Sequence, residues 1–438
     1  MEMKFVTIKT KFLEIWNHSG FQRYFKNTSW LFFSRIFILV LAFFISAYVA
    51  RYLGPEEYGI LNYIISFVGL FSFIPNLGMN NILSRELIKT PEKKDKLLGT
   101  AFLLQIFGSL LAVFLVGFFV IFLLNENKTT SLLLLFVAST FILQALNVID
   151  IYFQSNVMAK RVVIIQMMSF LISSLLKIIF ICFKLDLIYF VSLYVFDAIF
   201  FASGLLIIYR QNNFSIFNWH FDRGLAKNLL KESWPLMLSS SFLLIYARID
   251  QIMIKQMMGS YSVGLYAVSA KLSEAWIFVP SAIVGSLFPA IMNAKKVNQD
   301  FYENRFKKMY AIVFYLSFAI SFFIFIFAKP IINLLFGYEY LGAILSLQIY
   351  VWSGIATALG FIISQYLIIE GRTKVLFFVN FLSMSTNILL NLLLIPIMGI
   401  AGAALATLVS YFMMVFSILL FKNLRSHLYL IVKALLFV

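Results

Sequence analysis

The chain has 438 residues, 62% of them hydrophobic and only 12% charged, with a mean hydropathy of +0.93. A soluble domain is nearer half apolar and a quarter charged, so a water-soluble globular protein is excluded. The formal charge of +16 would suggest nucleic acid in a soluble protein, but here its placement between apolar segments carries the information, and no nucleic-acid partner is expected.

Twelve stretches long enough to cross a bilayer follow one another: 30–50, 60–83, 98–124, 131–153, 163–183, 187–209, 234–257, 263–292, 310–328, 341–369, 375–395 and 400–421. They are continuously apolar and lack the alternation of barrel strands, which predicts an all-α polytopic membrane protein of about twelve transmembrane helices. Residues 1–29 form a basic segment. Within it Phe5, Ile8, Phe12 and Ile15 recur at helical spacing among Lys4, Lys9 and Lys11, a pattern that suits an interfacial helix on anionic lipid and equally a solvated tail. The first apolar stretch is too long for a signal-peptide core and no small-residue cleavage site follows, so it is expected to stay in the mature chain. Residues 429–438 are read as a tail, although a further span could begin there.

Assigning Lys and Arg to alternating sides puts 26 with the N-terminus and only Arg51, Lys128, Lys184 and Lys329 opposite, with five inside spans. The positive-inside rule then places both termini in the cytoplasm. One cysteine, Cys182, excludes a disulfide framework, and His18, His220 and His427 have no metal-ligand spacing. No metal site and no cofactor are expected.

The gap after the first span runs from Gly54 to Gly59, and the gap after the seventh from Gly259 to Gly264, an offset of 205 residues. At the same offset Phe73 falls on Phe278 and Pro75 on Pro280. Six spans separate the copies, so the halves would be parallel repeats: a lobe at 30–211, a cytoplasmic linker at 212–233, and a second lobe with its tail at 234–438. Such lobes flank a central cavity in transporters, while duplication without transport is the plainer alternative. Gly59 and Gly264 are followed by Ile60 and Leu265 rather than Lys then Ser or Thr, so neither gap is a phosphate loop. Pro75 and Pro280 remove helix hydrogen bonds at membrane depth and are candidate hinges, or simple packing kinks.

Arg35, Lys177, Arg248, Lys255 and Lys271 lie within predicted spans, with Asp197, Asp250 and Glu274. A central Arg or Lys costs roughly 2.5–3.5 kcal/mol on insertion scales, so these residues imply a polar interior. Arg248 and Lys255 are about two turns apart on one face, whereas Asp250 points about 200° away from Arg248. Lys271 and Glu274, three apart, are positioned to neutralise each other. Lys177, Lys255 and Arg35 can snorkel toward headgroups, but Arg248 sits too deep. Five positive groups against three negative favour an anionic cargo, with Arg offering a bidentate fork to phosphate oxygens.

Several motifs are similar to one family. Arg51-Tyr-Leu-Gly-Pro-Glu-Glu-Tyr-Gly-Ile60, Asn76-Leu-Gly-Met-Asn-Asn81 and Ser84-Arg-Glu-Leu87 resemble the N-terminal signature of bacterial polysaccharide flippases of the O-antigen type, within the multidrug/oligosaccharidyl-lipid/polysaccharide exporter superfamily. Arg248-Ile-Asp-Gln-Ile-Met-Ile254, Val263-Gly-Leu-Tyr-Ala267, Lys271-Leu-Ser-Glu274, Phe278-Val-Pro280, Leu287-Phe-Pro289 and the stretch from Pro396 to Thr407 resemble its second half. The resemblance implies two lobes that open alternately. It implies transfer of an undecaprenyl-pyrophosphate-linked oligosaccharide from the cytoplasmic to the outer leaflet of the bacterial inner membrane, for O-antigen, capsule or exopolysaccharide. It further implies membrane lipids, a polysaccharide polymerase and a chain-length regulator as partners.

By that resemblance Arg35 and Arg248 are the leading candidates to meet the anionic head and Lys271 matches a family motif, while Lys255 is added as an intramembrane charge on the face of Arg248. Asp197, Asp250 and Glu274 are candidate coupling groups, the ion being open between a proton, sodium and none. The physics agrees: pyrophosphate and sugars do not cross hydrocarbon unaided, whereas a prenyl tail can stay in lipid. Two relatives compete. A multidrug cation antiporter would want an acidic interior, against the positive excess here; a lipid II flippase would suit a basic cavity equally well. A membrane polymerase is disfavoured, since the outer gaps run only from a few to about a dozen residues, a connecting length. The expectation is a transporter, not an enzyme.

Overall fold

The computed structural model describes residues 19–421 except 125, together with 424, 429, 431, 433 and 434. The helical pattern at 5–16 lies outside the described residues, as does most of the closing stretch. So do the side chains of 19–29 and 31–35, Arg35 among them.

The first half of the chain forms α1 (Ser19–Leu70), α2 (Phe73–Asn76), α3 (Asn80–Lys89), α4 (Lys94–Phe122), α5 (Lys128–Ala138), α6 (Thr140–Gln144), α7 (Asn147–Ser155), α8 (Ala159–Cys182) and α9 (Leu187–Gln211). The second half forms α10 (Arg223–Met258), α11 (Ser260–Glu274), α12 (Phe278–Val297), α13 (Gln299–Ile326), α14 (Ala328–Leu335), α15 (Ile344–Tyr350), α16 (Ser353–Ile369), α17 (Thr373–Met398) and α18 (Ile400–Phe416). Among the described residues nine helices are long and apolar enough to cross a membrane, or eleven when each of two bent pairs counts as one span. One of the nine, Ile36–Lys89, contains Gly54 at φ 69°, ψ 171°, where two helices meet. Taken as two, it brings eleven to the twelve spans read from sequence.

The chain divides into two compact units, 1–45 with 71–237 and 46–70 with 238–438. Residues 46–70, which the sequence division puts in the 30–211 lobe, therefore pack with the second unit. Three buried or half-buried bonds hold them there. Ser66 donates to Gln251 Oε1 at 2.8 Å, Tyr340 donates to the Ala50 carbonyl at 2.7 Å, and Lys271 donates to Ser46.

In the first unit the core gathers Leu83, Leu97, Val148, Phe153, Val162 and Leu205. The linker folds onto it: Trp219 Nε1 donates to Tyr209 at 3.0 Å, and the Asp222 amide donates to Thr100 at 2.9 Å. This linker is shorter than the 212–233 read from sequence, because α10 already begins at Arg223. Asp222 starts that helix by accepting the Leu225 amide at 2.9 Å, which holds its carboxyl below the usual range. Ala226 and Leu229, about one turn apart, are then buried on one face of the helix.

Several predicted spans are broken, the two bent pairs among them, and two of the breaks lie beside the candidate hinge prolines. Residues 71–72 separate α1 from α2, and 275–277 separate α11 from α12. Pro75 and Pro280 each occupy the third position of the helix after the break, where the missing N–H is one that a helix start leaves unbonded anyway. They are thus at the edges of interruptions rather than inside continuous helices.

Candidate functional site

The repeat read from the glycines is present in the backbone. Gly54 and Gly259 share a left-handed φ (69° and 85°) with ψ near 170–180° (171° and 177°), each between two helices. An L side chain at such a φ is strained, which explains glycine at both. Within the second unit the two copies then clasp reciprocally. A Cβ on Gly59 would overlap the Ser260 carbonyl oxygen and stand 2.8 Å from its carbon; a Cβ on Gly264 would overlap the Pro55 carbonyl oxygen and stand 2.8 Å from its carbon. Gly59 matches Gly264 and Pro55 matches Ser260 at the offset of 205, so each copy presents the same glycine to the same point of the other. Backbone contact this close needs a missing side chain, as at small-residue helix crossings in membranes.

Lys255 belongs to this contact rather than to Arg248: its Nζ donates to Ser260 at 2.7 Å and lies 5.7 Å from the Tyr63 ring centroid. Gln251, between the two cations on α10, is buried and taken by Ser66. Lys271 is bonded to Ser46, whose hydroxyl pairs with Tyr58 at 2.9 Å. Among the described residues no ion pair joins Lys271 to Glu274; Glu274 Oε1 instead accepts the Tyr350 hydroxyl at 2.9 Å. Lys271 acts on Glu274 electrostatically, while the hydrogen bonds of both groups go to other helices.

Arg248 and Asp250 face apart, as two residues at 100° each must. Arg248 is exposed and has no hydrogen bond or salt bridge to a described residue, and it acts electrostatically on exposed Glu274. Asp250 is 3% exposed and fully engaged. Its Oδ1 accepts Asn391 Nδ2 at 2.6 Å; its Oδ2 accepts the hydroxyls of Tyr266 at 2.6 Å and Thr407 at 2.5 Å. Asn391 also donates to Asn387 Oδ1 at 3.1 Å, and Thr407 Oγ1 lies 2.9 Å from the Ala403 carbonyl. All three donors to the carboxylate are neutral. A buried carboxylate with no cation among its partners is a group whose charge can be cancelled by a proton or a bound ion. Among the described residues no three His, Cys, Asp or Glu come together as metal ligands. The Asp250 carboxylate and the Thr407 hydroxyl beside it are hard oxygens, the kind that a proton or a hard cation takes.

Tyr266→Phe removes one donor from this carboxylate. It is expected to cost about 1.5–3 kcal/mol, the range for a hydrogen bond to a charged group, read as a lowered unfolding midpoint in detergent.

Asp197 lies in the first unit, half-buried, and accepts Ser169 at 2.9 Å; Lys177 lies 5.9 Å from the Tyr194 ring centroid and acts on Asp197 electrostatically. Arg35 is on α1, its side chain outside the described residues. The partners of Asp250 are neutral, so the intramembrane charges do not reveal them. Asn387 and Asn391, four apart on one face of a predicted span, are the signal that points to them.

Residues 24–295 match the family model described as "Polysaccharide biosynthesis protein". Two uncharacterized membrane proteins of Methanocaldococcus jannaschii are similar, one 29% identical over 222 residues, or 49% of each chain. The other is 28% identical over 223 residues, covering 48% of this chain and 42% of the relative. These matches thus span about half or less of the curated relatives' lengths. Among solved structures, an inward-facing multidrug resistance transporter aligns with a TM-score of 0.67 at 14% identity, covering 90% of this chain and 96% of that one. The lipid II flippase MurJ in an inward closed conformation aligns with a TM-score of 0.67 at 15% identity, covering 92% and 89%. At these identities the likeness is one of fold.

Proposed function

Since the chain belongs to the polysaccharide biosynthesis protein family and has the fold of membrane transporters and flippases, we propose that it flips a lipid-linked oligosaccharide. The cargo is a glycan on undecaprenyl pyrophosphate, moved from the cytoplasmic to the outer leaflet of a bacterial inner membrane by alternating access. The observation that carries this reading is Arg248, exposed in the C-terminal third of α10 and with no hydrogen bond or salt bridge to a described residue. A guanidinium without a hydrogen-bond partner at membrane depth is costly unless an anion or water meets it; Glu274 acts on it electrostatically but leaves its planar fork open to two phosphate oxygens. Lys271 adds positive charge nearby, tethered through Ser46. The prenyl chain stays in lipid, so only the head has to pass through a polar environment.

Asp250 is the coupling group in this account. With its carboxylate charged, the shell of Tyr266, Thr407 and Asn391 closes around it; a proton or an alkali ion arriving there removes the charge and rearranges those three donors, which sit on α11, α18 and α17. A change that pulls on three helices at once is a local event able to bias a two-state element.

Arg248→Ala is expected to abolish export of the polysaccharide while membrane insertion and unfolding midpoint stay near those of the parent. Normal export from this variant would remove Arg248 from the mechanism.

A further inference from the structure

One face of α17 carries a row of polar residues that the shell of Asp250 does not use up. Asn380, Ser383, Asn387 and Asn391 fall within about 80° of one another at 100° per residue and extend over about 17 Å of helix. All four are buried, at 7%, 2%, 0% and 0% exposure. Asn380 Oδ1, Ser383 Oγ and Asn391 Oδ1 have no hydrogen-bond partner among the described protein atoms. Ser410 of α18 faces the row, 3.5 Å from Asn387 Nδ2. Buried polar atoms in native proteins are nearly always paired, and where protein supplies no partner, internal water does. Three such atoms spaced along a single helix face, ending at a buried carboxylate, call for more than one water.

We propose that this face of α17 holds a column of internal water that connects Asp250 to the N-terminal half of the helix and gives the coupling cation its access. The inference rests on Asp250 being the coupling group. The column starts at Asn391, which donates to Asp250, passes Asn387 and Ser383, and reaches Asn380 toward the end of α17 that the basic-residue bias places in the cytoplasm. Titratable groups face Asp250 from other helices: Tyr266 and Glu274 of α11, Tyr350 of α15 and Tyr411 of α18. The row itself contains only neutral amides and a hydroxyl. Such groups hydrate a passing cation or relay a proton through water without trapping either, whereas a second carboxylate in the row would bind it.

The test uses the full chain in nanodiscs on a Cys182→Ser background, since Cys182 is the one native cysteine. Single cysteines are placed at Asn380 and Ser383 and, as comparisons, at the exposed apolar positions Leu389 and Leu393 of the same helix. Each is exposed to Ag+, a bare monovalent cation that reacts with thiols. Blocked thiol is then counted by maleimide labelling after denaturation. Because thiol reactivity follows access to water, the cysteines at 380 and 383 are expected to react at least about tenfold faster than those at 389 and 393 despite their burial. Equal or slower reaction at 380 and 383 overturns the column. Ser383→Cys is nearly isosteric, so it reports even if Asn380→Cys misfolds. Excess Na+ slowing the reaction at 383 identifies an alkali-ion route; an unchanged rate identifies water that carries protons. Silver access is read whatever Asp250 does, so it fails separately from the coupling role, which falls if Asp250→Asn keeps gradient-driven transfer.

Discussion

Gly264→Leu is expected to leave little folded protein, and Gly264→Ala to cost about 1–3 kcal/mol of unfolding free energy, the usual range for overpacking a tight contact. The atom in the way is the Pro55 carbonyl oxygen, which belongs to backbone and cannot rotate aside as a flexible side chain would. Moving it means moving the start of the helix that follows Gly54, and with it Tyr58 and the Ser46–Lys271 link. Gly59→Ala is expected to behave alike, since it meets Ser260 in the same way. Gly285 is the comparison: it lies within α12 and nothing stands within 4 Å of its would-be Cβ. Gly285→Ala should be neutral or stabilising by up to about 1 kcal/mol, because alanine is the better helix former. Opposite signs for Gly264→Ala and Gly285→Ala, read from unfolding midpoints, support the reciprocal clasp; equal midpoints remove it.

Asp250 separates stability from coupling. Asp250→Leu removes the acceptor shared by Tyr266, Thr407 and Asn391 and leaves each only its second partner, the Thr407 hydroxyl, the Ala403 carbonyl and Asn387 Oδ1. Each hydrogen bond to a charged group lost this way costs about 1.5–3 kcal/mol, so this variant is expected to fold poorly. Asp250→Asn keeps one carbonyl acceptor and the side-chain shape but fixes the charge at zero. It is expected to fold, to bind cargo, and to lose any stimulation of transfer by a proton or sodium gradient. A folded Asp250→Asn protein with the parent's response to both gradients would take Asp250 out of the coupling.

What the sequence revealed and what it hid divide along physical lines. Helices crossing lipid need long apolar runs, and those runs are visible; so are the glycine pairs at 54/59 and 259/264, because turn conformation and close approach both demand a missing side chain. The interruptions at 71–72 and 275–277 were not visible, since they fall inside apolar stretches where hydropathy does not change. Pro75 and Pro280 marked their neighbourhood but suggested kinked helices rather than helix starts. The grouping of 46–70 with the second unit depends on Ser66–Gln251 and Tyr340–Ala50, contacts 185 and 290 residues apart in sequence. No local pattern encodes them. For the site, charge was legible and partnership was not: Arg248 and Asp250 stood out as intramembrane charges, while Asn391, Thr407 and Tyr266 looked like ordinary polar residues until the fold brought them to one carboxylate. Spacing alone likewise shows Lys271 beside Glu274, which it acts on electrostatically, but not their hydrogen bonds to Ser46 and Tyr350 on other helices.

The central claim is transfer of a pyrophosphate-linked glycan between leaflets. Its direct test is the protein reconstituted in liposomes with fluorescently labelled undecaprenyl pyrophosphate oligosaccharide, counting the label that becomes accessible to an external quencher, against empty vesicles and Arg248→Ala. The account requires transfer by the parent protein well above empty vesicles and a return to that background with Arg248→Ala. Folded parent protein that moves no pyrophosphate-linked glycan across several head groups, but exchanges a cationic drug for protons or sodium, would contradict it.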